Sequence, residues 1–270
     1  MKKERLAQMD KIEIANAFNH GKALITFITG GDPDLETTQK LMYAMQKAGA
    51  DLIEIGIPFS DPIAEGPVIQ EANERALSNG CTTDRLFDTI KEIRENGTIT
   101  IPVVFLTYIN PIFTYGKEKF MKRCIECGIS GLIIPDLPFE EKDEIADVCK
   151  MYQIDLISMI APTSEERIQK IAAQATGFLY IVSSMGVTGM RNEIKTDLNA
   201  MISLVRKGAN IPAAIGFGIS NPEQAKEMAQ KAEGAIIGSA IVKIVGRYGK
   251  NSVPEVEQFV RQLRAGVDQA

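Results

Sequence analysis

The feature that most constrains the fold is a regular alternation of short apolar segments with amphipathic segments. Eight of the apolar segments have the length and composition of buried parallel strands, and they cover residues 23–29, 52–57, 101–107, 131–135, 154–160, 178–182, 211–216 and 235–237. Stretches with helical spacing of apolar residues lie between them. Strict alternation of strands and helices is typical of a parallel sheet.

Eight strand–helix units in 270 residues predict an α/β fold, a single closed (β/α)8 TIM barrel domain over residues 1–270. Apolar positions at roughly helical spacing predict an extra N-terminal helix over residues 3–18. The alternative, a doubly wound open sheet, would have fewer strands and a glycine-rich fingerprint after the first. Helix starts are predicted at Asp34 and at three pairs with capping-box spacing, Thr163 with Glu166, Ser220 with Glu223 and Ser252 with Glu255.

Charge and hydrophobicity argue against several classes of function. The net charge is −5 and no basic block is present, which argues against nucleic acid or an anionic membrane as the main partner. No apolar run approaches the roughly 20 residues that span a bilayer, and the N-terminus has no apolar stretch of signal-peptide type. We therefore expect a soluble cytoplasmic protein.

Histidine and cysteine usage narrows the chemistry. The only histidine, His20, lies in a polar connection, so neither a Ser-His-Asp triad nor a histidine metal centre is available. Cys124 and Cys127 form a C-x-x-C pair, but no second pair follows. Two small residues on one helix are favoured over a zinc or redox site. Acid–base chemistry would then fall to carboxylates, Tyr, Lys or Cys.

One strand and the loop after it contain two carboxylates in unexpected places. Glu54 shares a strand face with Leu52 and Gly56, so its side chain should point into an apolar interior. Burying a carboxylate is unfavourable unless it is paired or protonated, and an ion-paired structural glutamate is the alternative interpretation. Glu65 follows on a proline-rich loop, which predicts a more solvated environment. Two carboxylates in unlike environments can divide acid and base roles between them.

The same stretch resembles a known family. Residues 53–67, IEIGIPFSDPIAEGP, are similar to the signature of the tryptophan synthase alpha subunit. The resemblance implies that Glu54 is the catalytic glutamate and that Glu65 is the second catalytic acid, at a position where the family has aspartate. It further implies a lyase that converts indole-3-glycerol phosphate to indole and glyceraldehyde 3-phosphate. No cofactor would be needed, and the partner would be a pyridoxal-phosphate beta subunit in an α2β2 complex.

Glycines after the last two strands predict a phosphate site, because small residues there let backbone N–H groups approach an anion. These residues are Gly216, Gly218, Gly238 and Ser239; tight turns are the alternative. Glycines that flank a polar centre over residues 183–193 predict a mobile lid after the sixth strand, and a plain flexible connection is the alternative. The resemblance favours the lid, with Thr188 as the residue that bonds the carboxylates on closure, and adds Gly189 as a phosphate contact. It also assigns the wall of an indole pocket to Phe27, Leu106, Tyr180 and Phe217.

Two other functions remain open from the sequence. One is an indole-releasing lyase that acts without a partner. The other is a non-catalytic subunit that binds indole-glycerol phosphate or activates the beta subunit, with Glu65 as the mark of lost activity.

Overall fold

Eight parallel strands close into a barrel in the order in which they occur along the chain. The computed structural model describes residues 11–182, 197–216 and 218–270. The strands are β1 Ala23–Thr29, β2 Leu52–Gly56, β3 Val103–Leu106, β4 Gly131–Ile133, β5 Asp155–Ile160, β6 Leu179–Val182, β7 Ala213–Gly216 and β8 Gly234–Ile237. Pairing of β1 with β8, with Ala23 opposite Gly234, closes the barrel. The predicted fold class is confirmed.

Helices surround the barrel in the described part of the chain. They are α1 Leu35–Lys47, α2 Pro67–Ser78, α3 Thr83–Glu95, α4 Ile109–Tyr115, α5 Lys117–Glu126, α6 Asp143–Met151, α7 Glu165–Ala172, α8 Leu198–Gly208, α9 Pro222–Lys231, α10 Ser239–Tyr248 and α11 Val253–Val267. The connection after β2 contains two helices, so extra chain is available above that strand. None of the helices in these ranges is long and apolar enough to cross a membrane.

The core has an inner and an outer layer. Side chains such as Ile25, Leu52 and Val104 fill the barrel interior, and a larger cluster packs between the strands and the helices. The amino-terminal end of the barrel is closed by Ile14, which is 1% exposed. Because a Cβ at Gly131 would lie 3.0 Å from Ile14 Cδ1, the glycine leaves space for this plug. The carboxyl ends of the strands are thereby left as the open end.

The predicted N-terminal helix is confirmed only in part, because in the described residues it is shorter than predicted and of the 3₁₀ type. Residues 11–13 are not helical, and a 3₁₀ helix covers only Ile14–Phe18. The Ser130 hydroxyl donates a hydrogen bond of 2.7 Å to the Ile12 carbonyl. Tertiary hydrogen bonding has therefore replaced the helical bond that this carbonyl would have accepted. Residues 3–10 lie outside the described ranges.

The predicted helix starts have mixed outcomes. Asp34 caps α1 by accepting from the Thr37 N–H at 2.7 Å, as predicted. Two capping-box assignments are one residue early, because the side chains that accept the capping bonds belong to Ser164 and Asn221. Ser252 precedes α11, but its side chain forms no capping bond. Its backbone is already in the helical region, whereas a capping side chain normally requires an extended residue.

Candidate active site

A pocket at the carboxyl ends of the strands contains most of the predicted site residues. It encloses about 670 Å³ of atom-free space, its open mouth included. The residues that line it are Phe27, Glu54, Ala64, Glu65, Ile69, Leu106, Pro135, Met159, Tyr180, Gly218, Ile219, Ile236, Gly238 and Ser239. Both carboxylates therefore open onto one cavity with a largely apolar wall, at the end where barrels of this kind place their chemistry.

Glu54 lies in the middle of β2 and points into this cavity, as the two-residue strand period predicts. It is 1% exposed, and its Oε1 has no hydrogen-bond partner among the described residues. Burial raises the pKa of Glu54 to about 8. The carboxyl group is therefore mainly protonated at neutral pH, with an oxygen free to reach a ligand.

Tyr180 is a buried neighbour of Glu54. Burial and then the charge of Glu54 raise the pKa of the Tyr180 phenol well above its ordinary value, so the phenol is neutral. A Cβ at Gly216 would lie 2.6 Å from the Tyr180 hydroxyl oxygen. The absence of a side chain at Gly216 thus makes room for this aromatic residue. Gly216 itself does not line the pocket, and its phosphate role stays a prediction.

Glu65 is buried, so the predicted solvated environment is wrong. It is 7% exposed, although it lies on the loop before α2. The loop folds onto the helix because Gln70 Nε2 donates to the Glu65 carbonyl at 2.7 Å and Asn73 Nδ2 donates to Glu65 Oε2 at 2.6 Å. The two acids differ in a way that the sequence did not predict, since Glu65 is hydrogen-bonded and Glu54 Oε1 is not.

Hydrogen bonds limit the effect of burial on the pKa of Glu65. Burial raises the pKa of Glu65, and hydrogen bonds from Asn73 and Tyr108 oppose that rise. Tyr108 also accepts a hydrogen bond of 3.1 Å from the Ala64 N–H, so one phenol holds both the carboxylate and its loop. Donors to a carboxylate favour its charged form. The pKa of Glu65 is therefore raised less than burial alone would raise it, whereas no such donor opposes the effect of burial on Glu54.

The sequence interpretation missed the role of Asn73. A signal was available, because Asn73 lies on the apolar face of α2 with Ile69, Ala72 and Ala76, all of them buried. Buried amides need hydrogen-bond partners. An amide on such a face two turns after a candidate catalytic acid indicates a positioning residue.

Helix α2 is itself fixed by an ion pair. Arg75 donates from Nε and Nη2 to the two carboxylate oxygens of Asp32, each at 2.8 Å. Asp32 is 2% exposed and lies in the loop after β1. A bidentate pair of this kind restricts orientation as well as position. The helix that carries Asn73 is therefore fixed to the loop that follows β1.

The other end of the pocket is suited to an anion. Gly218, Gly238 and Ser239 line it, and α10 begins at Ser239 with no side-chain cap and no acidic residue in its first turn. The first N–H groups of a helix lack intrahelical partners and carry partial positive charge. Gly218 has φ +87°, a conformation that favours glycine.

Phe27, Leu106 and Tyr180, which the resemblance assigns to the wall of an indole pocket, all line the cavity, and their contact with an indole ring stays a prediction. Phe27 lies against the backbone of β2, because a Cβ at Gly56 would be 2.8 Å from Phe27 Cζ. Three further predicted residues, Thr188, Gly189 and Phe217, lie outside the described residues.

The cysteines lie outside this pocket. Cys124 is in α5 and Cys127 follows its last residue, and both are free and buried, as are Cys81 and Cys149. Burial raises the pKa of Cys127 to about 12. Thiols of this kind are unreactive. Within the described ranges, no group of three or more His, Cys, Asp or Glu residues is arranged to hold a metal ion.

Comparison with known sequences gives one consistent result. A family model described as "Tryptophan synthase alpha chain" matches residues 14–269. A protein of that name from Lacticaseibacillus casei is 48% identical over 256 residues, which are 95% of this chain and 96% of the relative. Another from Alkaliphilus metalliredigens is 49% identical over 244 residues, with 90% and 91% of the two chains covered.

Solved structures agree with the sequence comparison. The tryptophan synthase subunit alpha of Legionella pneumophila superposes with a TM-score of 0.84 at 34% identity, covering 95% of this chain and 98% of that one. A chain in a tryptophan synthase complex from Pyrococcus furiosus gives a TM-score of 0.81 at 32% identity, with 91% and 98% covered.

Proposed function

Because this chain belongs to the tryptophan synthase alpha chain family, we propose that Glu54 and Glu65 carry its catalysis. The family activity is that of a carbon–carbon lyase of tryptophan biosynthesis, which cleaves indole-3-glycerol phosphate to indole and glyceraldehyde 3-phosphate. The observation that supports the assignment is the shared cavity, in which both carboxylates are buried beside an apolar wall and a helix N-terminus.

Glu54 acts first as an acid and then as a base. Indole C3 is a poor leaving group until it is protonated, and protonated Glu54 can supply that proton. The Glu54 carboxylate then takes the proton of the hydroxyl on the adjacent glycerol carbon. The bond between C3 and this carbon breaks, its electron pair returns to the indole ring, and the glycerol carbon becomes the aldehyde. One proton is given and one is recovered, so Glu54 ends in its starting state.

Glu65 stabilises the charge that appears between these two proton transfers. Protonation at C3 places a positive charge on the ring, which is shared with the ring N–H. An ionised Glu65 that accepts a hydrogen bond from this N–H is a fixed counter-charge in a low-dielectric site. Asn73 and Tyr108 hold the carboxylate in place before the substrate binds.

The phosphate end of the substrate lies against Gly218, Gly238 and Ser239 in this proposal. Backbone N–H groups at the start of α10 donate hydrogen bonds to the phosphate oxygens. Binding energy from this remote group orients the reacting carbon at Glu54. The phosphate contact of Gly189, the ring contact of Phe217 and the closing contact of Thr188 stay predictions from the resemblance. The phosphate contact of Gly216 stays a prediction from the glycines after the last two strands.

The partner of the alpha chain is the tryptophan synthase beta subunit. We propose an α2β2 arrangement with a pyridoxal-phosphate beta subunit that consumes the indole. We also propose a cytoplasmic location, and one domain for the whole chain, because the described elements belong to one closed barrel.

Indole release by the purified chain tests the function. We expect equimolar indole and glyceraldehyde 3-phosphate from indole-3-glycerol phosphate, and a faster reaction when the beta subunit is added. Co-purification with the beta subunit and stimulation by it separate the alpha chain from a lyase that acts alone. If no product formed even with the beta subunit present, the chain would be a binding subunit and the catalytic assignment would be wrong.

The acid role of Glu54 predicts a loss of activity at high pH. Since the reactive form is protonated and burial raises the pKa of Glu54 to about 8, kcat/KM should fall about tenfold per pH unit above that value. We would measure kcat/KM from pH 6 to pH 10. The substrate phosphate loses its second proton near pH 6, so it cannot produce this limb. A flat profile up to pH 10 would contradict an acid role for Glu54.

Asn73→Ala should lower activity by misplacing Glu65. The variant loses the 2.6 Å hydrogen bond to Glu65 Oε2, so we expect kcat/KM to fall about 10- to 100-fold. The acidic limb of the pH profile should also move to higher pH, because a donor that favours the charged form is lost. That second readout separates positioning from a general loss of structure.

Asn79→Ala is the matched control for this variant. Asn79 follows the last residue of the same helix, and its amide donates to the Pro33 carbonyl at 2.7 Å, in an exposed place. Its loss should leave the pH profile unchanged. An unmoved acidic limb in Asn73→Ala would show that Asn73 does not tune Glu65.

A further inference from the structure

Helices α2 and α10 lie side by side and support opposite ends of the pocket. Helix α2 holds Glu65 through Asn73, whereas α10 begins at Ser239, beside the proposed phosphate site. A small buried cluster joins the two helices, and its members are Phe27 of β1, Ile69 and Ala72 of α2, and Val242 of α10. The carboxylate end and the phosphate end of the pocket are therefore supported by helices that pack on each other.

Arg75 makes a second contact between the two helices. It lies in the last turn of α2, and a Cβ at Gly246 of α10 would be 3.1 Å from Arg75 Nη2 and 3.4 Å from its Cζ. Glycine is unfavourable inside a helix, so the close approach of the guanidinium gives a physical reason for its presence here. The Arg75 guanidinium thus lies directly against α10.

The same guanidinium is held by a buried carboxylate. Arg75 Nε and Nη2 donate to Asp32 in the loop after β1, and the Asp32 side chain is 2% exposed. In the part of the chain that the structure describes, every other acid in an ion pair is at least 23% exposed. Exposed ion pairs contribute little, whereas a buried charge needs its partner. The loop after β1, α2 and α10 therefore meet at one side chain with a fixed orientation.

We propose that Arg75 is a positioning residue through which a phosphate bound at the start of α10 fixes Glu65. The phosphate immobilises α10, and the Arg75 contact and the apolar cluster pass this constraint to α2, which holds Glu65 through Asn73. Contiguous packed side chains carry coupling of this kind. Arg75 does not line the pocket, so it touches no reacting atom and acts through its helix. The inference rests on the proposed function, because it concerns how two ends of the same site cooperate.

Condensation of indole with two different aldehydes by the full chain provides the assay. Glyceraldehyde 3-phosphate engages the phosphate site, whereas glyceraldehyde lacks the phosphate and can be supplied at high concentration. The ratio of kcat/KM for the phosphorylated aldehyde to that for glyceraldehyde measures what the phosphate contributes to the reaction. This ratio, the phosphate advantage, should be well above one in wild type.

Arg75→Lys is the first variant. Lysine keeps the positive charge beside Asp32, but its ammonium lacks the planar fork that binds both carboxylate oxygens. We expect the phosphate advantage to fall about tenfold, a part of the about 100-fold loss that misplacement by one ångström can cause. The fall should lie in kcat for glyceraldehyde 3-phosphate. The Kd of glycerol 3-phosphate, which reports on the phosphate site alone, should stay unchanged, whereas a general loss of structure would weaken it.

Gly246→Ala is the second variant, and it keeps the inference testable if Arg75→Lys folds poorly. Alanine is the better helix former, so α10 itself is not weakened. Its methyl group would lie 3.1 Å from Arg75 Nη2, the atom that donates to Asp32, and would displace the guanidinium. The phosphate advantage should therefore fall in this variant too, in the same direction as in Arg75→Lys.

Arg264→Lys is the matched control, because it makes the same substitution in an ion pair at the opposite end of the barrel. Arg264 Nη1 donates to Asp51 Oδ2 at 2.7 Å, directly before β2. This control should leave the phosphate advantage unchanged.

Three results would overturn the inference while the lyase function stands. They are an equal loss of activity with both aldehydes in Arg75→Lys and Gly246→Ala, a phosphate advantage near one in wild type, and an equal fall of the advantage in Arg264→Lys. Failure of wild type to condense indole with glyceraldehyde 3-phosphate would overturn the proposed function and the inference with it.

Discussion

Glu54→Gln is expected to abolish indole release while removing a pH-dependent loss of stability. The amide keeps the shape of the side chain but can neither protonate indole C3 nor accept the hydroxyl proton. A positioned acid–base group contributes about 10²- to 10⁴-fold, and here one group performs both transfers. We therefore expect kcat to fall at least about 10³-fold, measured as indole released per chain.

The stability effect follows from the same burial. Burial raises the pKa of Glu54 from an ordinary value of 4.5 to about 8, so between these pH values the folded chain holds a proton that the unfolded chain has lost. Rising pH then favours unfolding by about 1.4 kcal/mol per pH unit. Between pH 5 and pH 8 the wild type should lose about 4 kcal/mol in its free energy of unfolding from this group.

Urea unfolding at pH 5, 6, 7 and 8 measures this difference. The unfolding free energy of Glu54→Gln minus that of wild type should rise with pH by about 4 kcal/mol across the range. An unpartnered amide adds a pH-independent amount to this difference in unfolding free energy, so the test is the slope of the difference with pH and not its absolute value. Glu71→Gln, at an exposed position on α2, should show no such slope. A pH-independent difference for Glu54→Gln would mean that Glu54 is ionised in the folded chain.

The position of Glu54 could be predicted from the sequence, whereas the environment of Glu65 could not. The two-residue strand period is a local property, and it assigned Glu54 to the inner face of β2, where it lies. The burial of Glu65 depends on contacts with Asn73 in α2 and with Tyr108 beyond β3. Such contacts are set by how the helix packs on the barrel, and a loop rich in proline gives no sign of them.

The predicted helix starts were also limited by what local sequence can show. Ser252 has the right residue type and spacing for a cap, but its backbone is helical, so its hydroxyl forms no capping bond. Local rules therefore predicted which elements form and which face carries Glu54, and packing decided the rest.

Glu65→Gln should reduce activity about 10²- to 10³-fold by removing the counter-charge alone. The amide can still meet the ring N–H, but it carries no charge to stabilise the protonated ring. Loss of one preorganised electrostatic group has effects of this size. The effect should be on kcat more than on KM, because the charge exists only after C3 is protonated. An equal effect on KM alone would show that Glu65 only binds the ring.

Glu65→Asp tests whether the longer acid is fitted to this pocket. Glu65 reaches Asn73 Nδ2 at 2.6 Å and is 7% exposed, so removal of one methylene should draw the carboxylate away by about an ångström. A displacement of that size can reduce the rate about 100-fold. Because the charge is retained, we expect kcat to fall by about 10- to 100-fold, which is less than for Glu65→Gln.

A double mutant tests the same geometry. Addition of Asn73→Ala to Glu65→Asp should reduce activity by a smaller factor than Asn73→Ala does in the wild type, because the hydrogen bond is already weakened. Full activity in Glu65→Asp, with an undiminished effect of Asn73→Ala, would show that the loop adjusts to either acid and that the glutamate is tolerated rather than required.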